Sequence, residues 1–326
     1  MKDLHPIHLP KGYQINTRPT ERFVNYLLME IKAGHHGSVG EGAGRIGKTS
    51  AIRYLCDQNQ TWLSKLPGGG IAAHLRLPLS ARRSDDKFFE TLAEALGMDA
   101  SERPANKKKR QRMVNYVLAR CGAAGVNTMV LFIDNAHRLS RDELDYLADL
   151  VDDVEQAHIH LFLALIRQSD ANGVNVSAKA KNYPSNISGR FFLGEHRYTG
   201  LLGLPDVEHA LQRFHVSAFW PKGSGISFVQ HFAPAAVASG WTPDQQASFI
   251  EDIRQQVRAE GKLRPSDEWP MKTFTGMVKF LLTEVAGNDR SFRQFTEDHI
   301  RVALKVCGYM TLEYVRAGLV PDETRP

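Results

Sequence analysis

Residues 128–133 (TMVLFI) and 159–166 (IHLFLALI) are almost continuously apolar and rich in β-branched and aromatic side chains. Such runs suit strands covered on both faces of a parallel sheet. Residues 71–77 (IAAHLRL) predict a third strand. Between these runs the apolar residues recur every three or four positions, the spacing of amphipathic helices. Phe88, Phe89, Leu92 and Leu96 define one helix over 85–96, and Lys107 opens another that runs to about Cys121. A capping box at Ser140 and Glu143 starts a third, with Leu144, Leu147, Leu150, Val151 and Val154 on one stripe. Phe23, Tyr26, Leu27 and Ile31 predict a helix over 20–31 after a proline-containing, extended arm. Beyond about residue 205 the pattern is helical throughout, broken by loops at 221–225, 239–243 and 261–270. The expected class is α/β: a parallel sheet flanked by helices, followed by a small, mostly helical lid. The expected division is 1–34 for the arm and first helix, 35–205 for the sheet-containing core and 206–326 for the helical C-terminal region. Ligands of such a sheet belong at the carboxyl ends of its strands.

The candidate chemistry lies at one such end. Residues 42–49 read GAGRIGKT, the complete pattern G-x-x-x-x-G-K-[ST]. Gly42, Ala43, Gly44, Arg45, Ile46 and Gly47 supply backbone N–H groups to phosphates, Lys48 reaches the outer phosphates and Thr49 holds Mg²⁺. Ser50 follows in the first turn of the next helix, whose dipole favours the same anion. The strand before this loop, at 36–40 (HGSVG), is weak by composition. A metal on a triphosphate needs a second anchor, and Asp134, at the end of the apolar run, is the candidate.

The 326 residues carry a net charge of +5 and a balanced, globular composition. The mild basic excess admits a polyanionic partner without requiring one. Three cysteines without C-x-x-C spacing suggest neither a disulfide framework nor a zinc site. No uncharged apolar run approaches the roughly 18 residues that span a bilayer, and the first residues lack the apolar core of a signal peptide, so a soluble, cytoplasmic protein with no membrane partner is expected. His35 and His36 beside the loop read as polar loop residues, because adjacent histidines lack a third ligand at useful spacing. Trp220, Trp241 and Trp269 read as core or interface anchors.

GAGRIGKT followed by VLFIDNAHRLS resembles the Walker A and Walker B pair of AAA+ ATPases. The resemblance implies ATP and Mg²⁺ as cofactors, and roles for three further residues. Gln168, after the strand LFLALI, matches the sensor-1 position; Arg190, in SGRFF (188–192), matches the arginine finger offered to a neighbouring subunit; Arg290, in AGNDR (286–290), matches the sensor-2 position facing the phosphates. The residue after Asp134 is Asn135, where the family usually has a glutamate. An amide orients water but cannot accept its proton, so either ATP hydrolysis is slow or another acid, Glu41 or Asp142, is the base. Within the superfamily, LRLP at 75–78, the helix ending in Leu96 and Gly97, and the short lid resemble the TnsC/TniB group of target-selection regulators of Tn7-like transposons. That implies a homo-oligomeric ring or filament on duplex DNA, with a transposase and target-selector proteins as partners.

Candidate DNA contacts are Arg82, Arg83, Lys107, Lys108, Lys109, Arg110 and Arg112. The last five concentrate cations where a helix is expected to begin, against its dipole, and an external phosphate relieves that conflict. The competing readings are another DNA-associated AAA+ ATPase of helicase or clamp-loader type, a small-molecule kinase using the same loop, and a scaffold with vestigial nucleotide binding.

Overall fold

The computed structural model describes residues 4–77, 85–98, 106–169 and 183–319. Its contacts divide it into two compact units. One comprises Arg22–Gly44 and Lys48–Tyr198; the other comprises Met1–Glu21, Arg45–Gly47 and Thr199–Pro326.

The first, the sheet unit, is built on five parallel strands: β1 (Gly37–Gly42), β2 (Ile71–Arg76), β3 (Thr128–Asp134), β4 (His160–Gln168) and β5 (Gly194–Arg197), in the order β2-β3-β4-β1-β5. All seven residues of β3 are buried, as its apolar run predicts. Full burial of a Leu, Ile or Phe side chain contributes about 1.5–3 kcal/mol, so this strand and β4 anchor the unit. Their register, Thr128↔His160 through Asp134↔Ile166, brings Asp134 to the carboxyl edge, and Gly42↔Gln168 brings the end of β1 beside the end of β4.

The weak segment before the loop is a strand after all. A Cβ at Gly37 would stand 2.8 Å from the Leu163 carbonyl oxygen and 3.0 Å from the Phe191 ring, so the bare backbone is what lets β1 lie between β4 and helix packing above it. Tertiary packing here overrides a poor strand propensity.

The covering helices are α1 (Arg18–Lys32), α2 (Lys48–Asp57), α3 (Asn59–Leu63), α4 (Asp85–Ala95), α5 (Asn106–Ala124), α6 (Arg141–Glu155) and α7 (Ser185–Phe191). Ser140 caps α6 as expected: its Oγ accepts from Glu143 N–H at 3.2 Å, and Glu143 Oε2 accepts from Ser140 N–H at 2.8 Å. Leu144, Leu147, Leu150, Val151 and Val154 all turn into the core.

The second, helical unit contains α8 (Gly203–Val216), α9 (Phe228–Phe232), α10 (Pro234–Ala238), α11 (Ala247–Glu260), α12 (Met271–Phe280), α13 (Glu297–Val306) and α14 (Tyr309–Arg316). A two-residue ribbon pairs β6 (Leu201–Leu202) with β7 (Glu268–Trp269). Trp241 and Trp269 are core residues, and Trp220, partly buried, packs against the same core, in keeping with their expected anchoring role. Charges lie inside this core. Arg254 is fully buried; it donates to Glu251, to the Ser266 carbonyl and to Tyr309 Oη at 2.8 Å, and its guanidinium lies 5.1 Å from the Trp269 ring centroid. Arg258 pairs with buried Glu313 and donates to the Arg264 carbonyl at 2.8 Å.

The arm before α1 is docked here rather than set apart. Ile7 joins the core, and His5 sits among the rings of Trp220, Phe228, His231 and Phe232. Its proline content ruled out a long helix but carried no information about these aromatic contacts.

The three cysteines are free, and burial pushes the Cys121 and Cys307 thiols up to about 11 and that of Cys56 to about 12. They behave as small apolar residues. No helix among the described residues is long and apolar enough to cross a membrane.

Candidate nucleotide site

β1 ends at Gly42 and α2 begins at Lys48, so the GAGRIGKT loop joins a strand's carboxyl end to a helix's amino end. Arg45 and Gly47 both adopt positive φ, +67° and +106°. That alternation turns successive N–H groups toward one side, the arrangement that binds anions. Lys48 Nζ folds back over the loop and donates to the carbonyls of Gly42 and Ala43, at 2.6 Å each. Ser50 is exposed in the first turn of α2. Arg45–Gly47 belong to the helical unit, where the Arg45 carbonyl accepts from Lys272 N–H at 3.1 Å and a Cβ at Gly47 would meet Met271 Cγ at 2.9 Å.

Asp134 meets Thr49 directly. The Thr49 hydroxyl donates to Asp134 Oδ2 at 2.7 Å, while Asn135 N–H donates to Oδ1 at 2.9 Å. Burial pushes the Asp134 carboxyl up, but the nearby His74 imidazole and the hydrogen bonds from the Thr49 hydroxyl and Asn135 N–H outweigh it and hold the group below the ordinary carboxylate range. Asp134 is therefore an anion at neutral pH, beside the hydroxyl expected to share a metal with it.

Gln168 closes the fourth side. It ends β4 opposite Gly42, and its Nε2 lies 3.3 Å from where a Cβ on Gly44 would stand. Lys48, Thr49, Asp134 and Gln168, distant in sequence, thus converge on one edge of the sheet.

Two residues of this edge have roles that the sequence reading missed. His74 of β2 points Nε2 at Asp134 Oδ2 across 3.8 Å; a histidine inside an otherwise apolar strand was the available signal. Asn135 sits at φ +63°, a left-handed conformation that asparagine tolerates, and its Nδ2 donates to the Leu77 carbonyl at 3.3 Å. The amide fastens the end of β3 to the segment after β2, a task independent of any water. Of the two alternative acids, Glu41 lies on β1 next to the buried Arg167, and Asp142 is exposed in the first turn of α6.

Arg190, on α7, is held within its own chain: it donates to Asp152 Oδ1 at 2.6 Å and to the Ala148 carbonyl at 3.3 Å. Arg290 is exposed in the helical unit, in the turn after the π-helical segment Leu281–Ala286. Among the basic candidates, Arg82 and Arg83 lie outside the described residues. Lys107, Lys108, Lys109 and Arg110 do fall in the first turn of α5. Arg110, however, is met inside the chain by Asp149 at 2.7 Å and Asp153 at 3.0 Å, carboxylates one turn apart on α6. Its charge is thereby reduced as an offer to an external phosphate, whereas Arg112 is half-buried further along the same helix.

Residues 41–174 match the family described as AAA domain. That stretch, which carries the GAGRIGKT loop and Asp134, is similar to an AAA domain. The ORC2 protein of Aeropyrum pernix, solved as ADPNP-ADP complexes, superposes with a TM-score of 0.52 at 10% identity, covering 94% of this chain and 72% of that one. A Walker-type ATPase of Pyrococcus abyssi superposes with a TM-score of 0.51 at 12% identity, covering 96% and 79%. No curated protein matches the sequence. These likenesses establish the AAA+ fold, an AAA domain joined to a C-terminal helical region, for a chain with very little sequence in common with either structure.

Proposed function

We propose that this chain is an ATP-dependent AAA+ regulator of DNA transposition, which binds ATP with Mg²⁺, assembles as a ring or filament on duplex DNA and links target selection to a transposase. The observation that carries the nucleotide part is the Thr49 to Asp134 contact at 2.7 Å beside the Lys48 ammonium. A hydroxyl and an ionised carboxylate are the hard oxygen donors that Mg²⁺ prefers, and the loop backbone supplies the anion cradle, so the residues present fit a magnesium nucleotide. Bound Mg²⁺ and ATP supply the phosphoanhydride and the charge that screens it. The chain's own residues do the rest. Lys48, which here donates to two loop carbonyls, would face the outer phosphates, Thr49 and Asp134 would hold the metal, and Gln168 would present its amide beside the loop. The ADPNP and ADP in the similar ORC2 structure support a nucleotide here.

Slow turnover follows from Asn135. Its amide cannot take a proton, and its Nδ2 is already bonded to the Leu77 carbonyl. ATP would then serve chiefly to switch assembly, with Arg190 leaving Asp152 for a neighbour's nucleotide and Arg290 in the sensor-2 role that its motif resembles. The DNA and transposition parts rest on the resemblance of LRLP at 75–78, the helix ending in Leu96 and Gly97 and the short lid to the TnsC/TniB group, on the pI near 9.0 and on the lysines that open α5.

Electron microscopy of the full chain with ATP, ADP or a slow analogue, with and without duplex DNA, tests the reading. Assemblies that require both ATP and duplex are expected. A monomer under every condition, with hydrolysis only in the presence of a small-molecule acceptor, would replace it with the kinase reading.

A further inference from the structure

The amino ends of the strands, opposite the nucleotide edge, carry a second cluster of chemistry-bearing side chains. His36 stands immediately before β1, His160 is the first residue of β4, and Glu155 is the last residue of α6. One ring nitrogen from each histidine and one carboxylate oxygen lie within 4.8 Å of one another. The sequence reading dismissed His35 and His36 for want of a third ligand; the fold brings two candidates from more than a hundred residues away.

The geometry points to a site for a divalent transition-metal ion of the zinc class, held by His36, Glu155 and His160 with water completing the shell. Three observations carry this. First, His36 Nδ1 stands 3.1 Å from Glu155 Oε1, yet the pair is not aligned as a hydrogen bond and Nδ1 has no hydrogen-bond partner. Two ligands of one tetrahedral ion, each about 2.0–2.1 Å from it, are separated by roughly 3.3 Å, close to the 3.1 Å seen. Second, His160 Nε2 lies 2.9 Å from the His35 carbonyl oxygen, and since that oxygen can only accept, Nε2 carries the proton. The lone pair of the neutral ring is then on Nδ1, and an imidazole tied to a backbone carbonyl through its other nitrogen is the usual outer support of a metal-bound histidine. Third, His36 and Glu155 are partly exposed, with side-chain accessibilities of 31% and 38%, which gives the ion a path in and the two side chains freedom to rotate onto it. Two imidazoles and one carboxylate are a borderline donor set, suited to Zn²⁺ or Co²⁺ and poorly suited to Mg²⁺. An ion there ties the start of β1 to the start of β4 and to the end of α6, independently of the nucleotide and of the function proposed above.

The test uses the full chain without a polyhistidine tag, stripped with chelator and free of nucleotide, titrated with Co²⁺ by visible absorption and with Zn²⁺ by calorimetry. One ion per chain is expected, with the intense visible bands of low-coordinate Co²⁺. Glu155→Gln, a change at a partly exposed position, and His36→Gln are each expected to weaken binding by at least tenfold, while His158→Gln, at an exposed neighbour, leaves it unchanged. Absence of stoichiometric binding overturns the assignment. So does binding that survives Glu155→Gln and His36→Gln together, or binding that is lost instead in Asp134→Asn, since that outcome puts the ion at the nucleotide edge.

Discussion

The two units solve the problem of polar groups in opposite ways. In the sheet unit most of the interior is apolar, with Arg167 buried near the end of β4, and the candidate site side chains, Lys48 and Thr49 at the start of α2 and Asp134 and Gln168 at strand ends, meet one another or the loop backbone. The helical unit places charge at its centre: Arg254, Arg258 and Glu313 are all buried. A charge taken out of water is tolerated only with a full set of partners, so this unit depends on a network in which each member holds the others. Chemistry at the rim of a dry core can be altered without unfolding it; chemistry inside a core cannot.

The sharpest test of that contrast is functional in one unit and structural in the other. Lys48→Ala is expected to reduce ATP hydrolysis on the order of 10²-fold or more, the loss typical when a charged group aimed at the reacting centre is removed, while the unfolding transition barely moves. Phosphate release and thermal melting, measured on the same sample, check both halves, and an unaffected rate would remove the loop from the chemistry. In the helical unit Glu313→Gln leaves Arg258 buried and unpaired, a change that destabilises by about 3–5 kcal/mol. Urea unfolding should register it, and the pair Arg258→Met with Glu313→Leu should recover most of the loss. If the pair is no better than the single variant, the network is more than a means of neutralising charge.

A smaller effect is expected from pH. Burial, then the neighbouring His231 and His8, push the His5 imidazole down to about 4, and its Nδ1 accepts from Ile7 N–H at 3.2 Å. As pH falls through about 6.5 the unfolded chain takes up this proton and the folded chain does not. Stability from this group is therefore full above about 6.5, drains away between 6.5 and 4, and is gone below that. Thermal melts from pH 7.5 to 4 should slope downward on the acid side, and His5→Phe should flatten that part of the slope. Least of all, Ser140→Ala removes one half of the α6 capping box and is expected to lower stability by about 1 kcal/mol. Chemical denaturation monitored in the sheet unit would show whether that cap matters to the fold of β3 and β4.

What the sequence disclosed follows the same division. The strands at 128–134 and 160–168 and the stripe on α6 were legible because burial leaves a local trace in the spacing of apolar residues. The meeting of the loop with Asp134 was legible because the loop pattern has fixed spacing and Asp134 ends the apolar run of β3. His74 near Asp134, Asp149 and Asp153 on Arg110, and Tyr309 and Glu313 around Arg254 and Arg258 were not, because each contact joins segments far apart in the chain and leaves no periodic mark. Asn135 read as a departure from a catalytic pattern; its positive φ and its bond to Leu77 give it a backbone task that sequence spacing does not encode. The docked arm was missed for a similar reason, since its partners, Phe228 and His231, lie some two hundred residues later.

The strand order has a consequence for synthesis. β1 lies between β4 and β5, and both are encoded long after it: its first residue, Gly37, pairs with Leu163. At about 5–20 residues per second, translation leaves the glycine-rich strand and the loop attached to it without a sheet neighbour for many seconds. Late in that interval, once Asp134 has been made, β2 and β3 can pair, so part of the sheet can form while the phosphate loop still waits for a wall. The two walls of the candidate nucleotide site, β1 and β4, come together late, when β4 emerges.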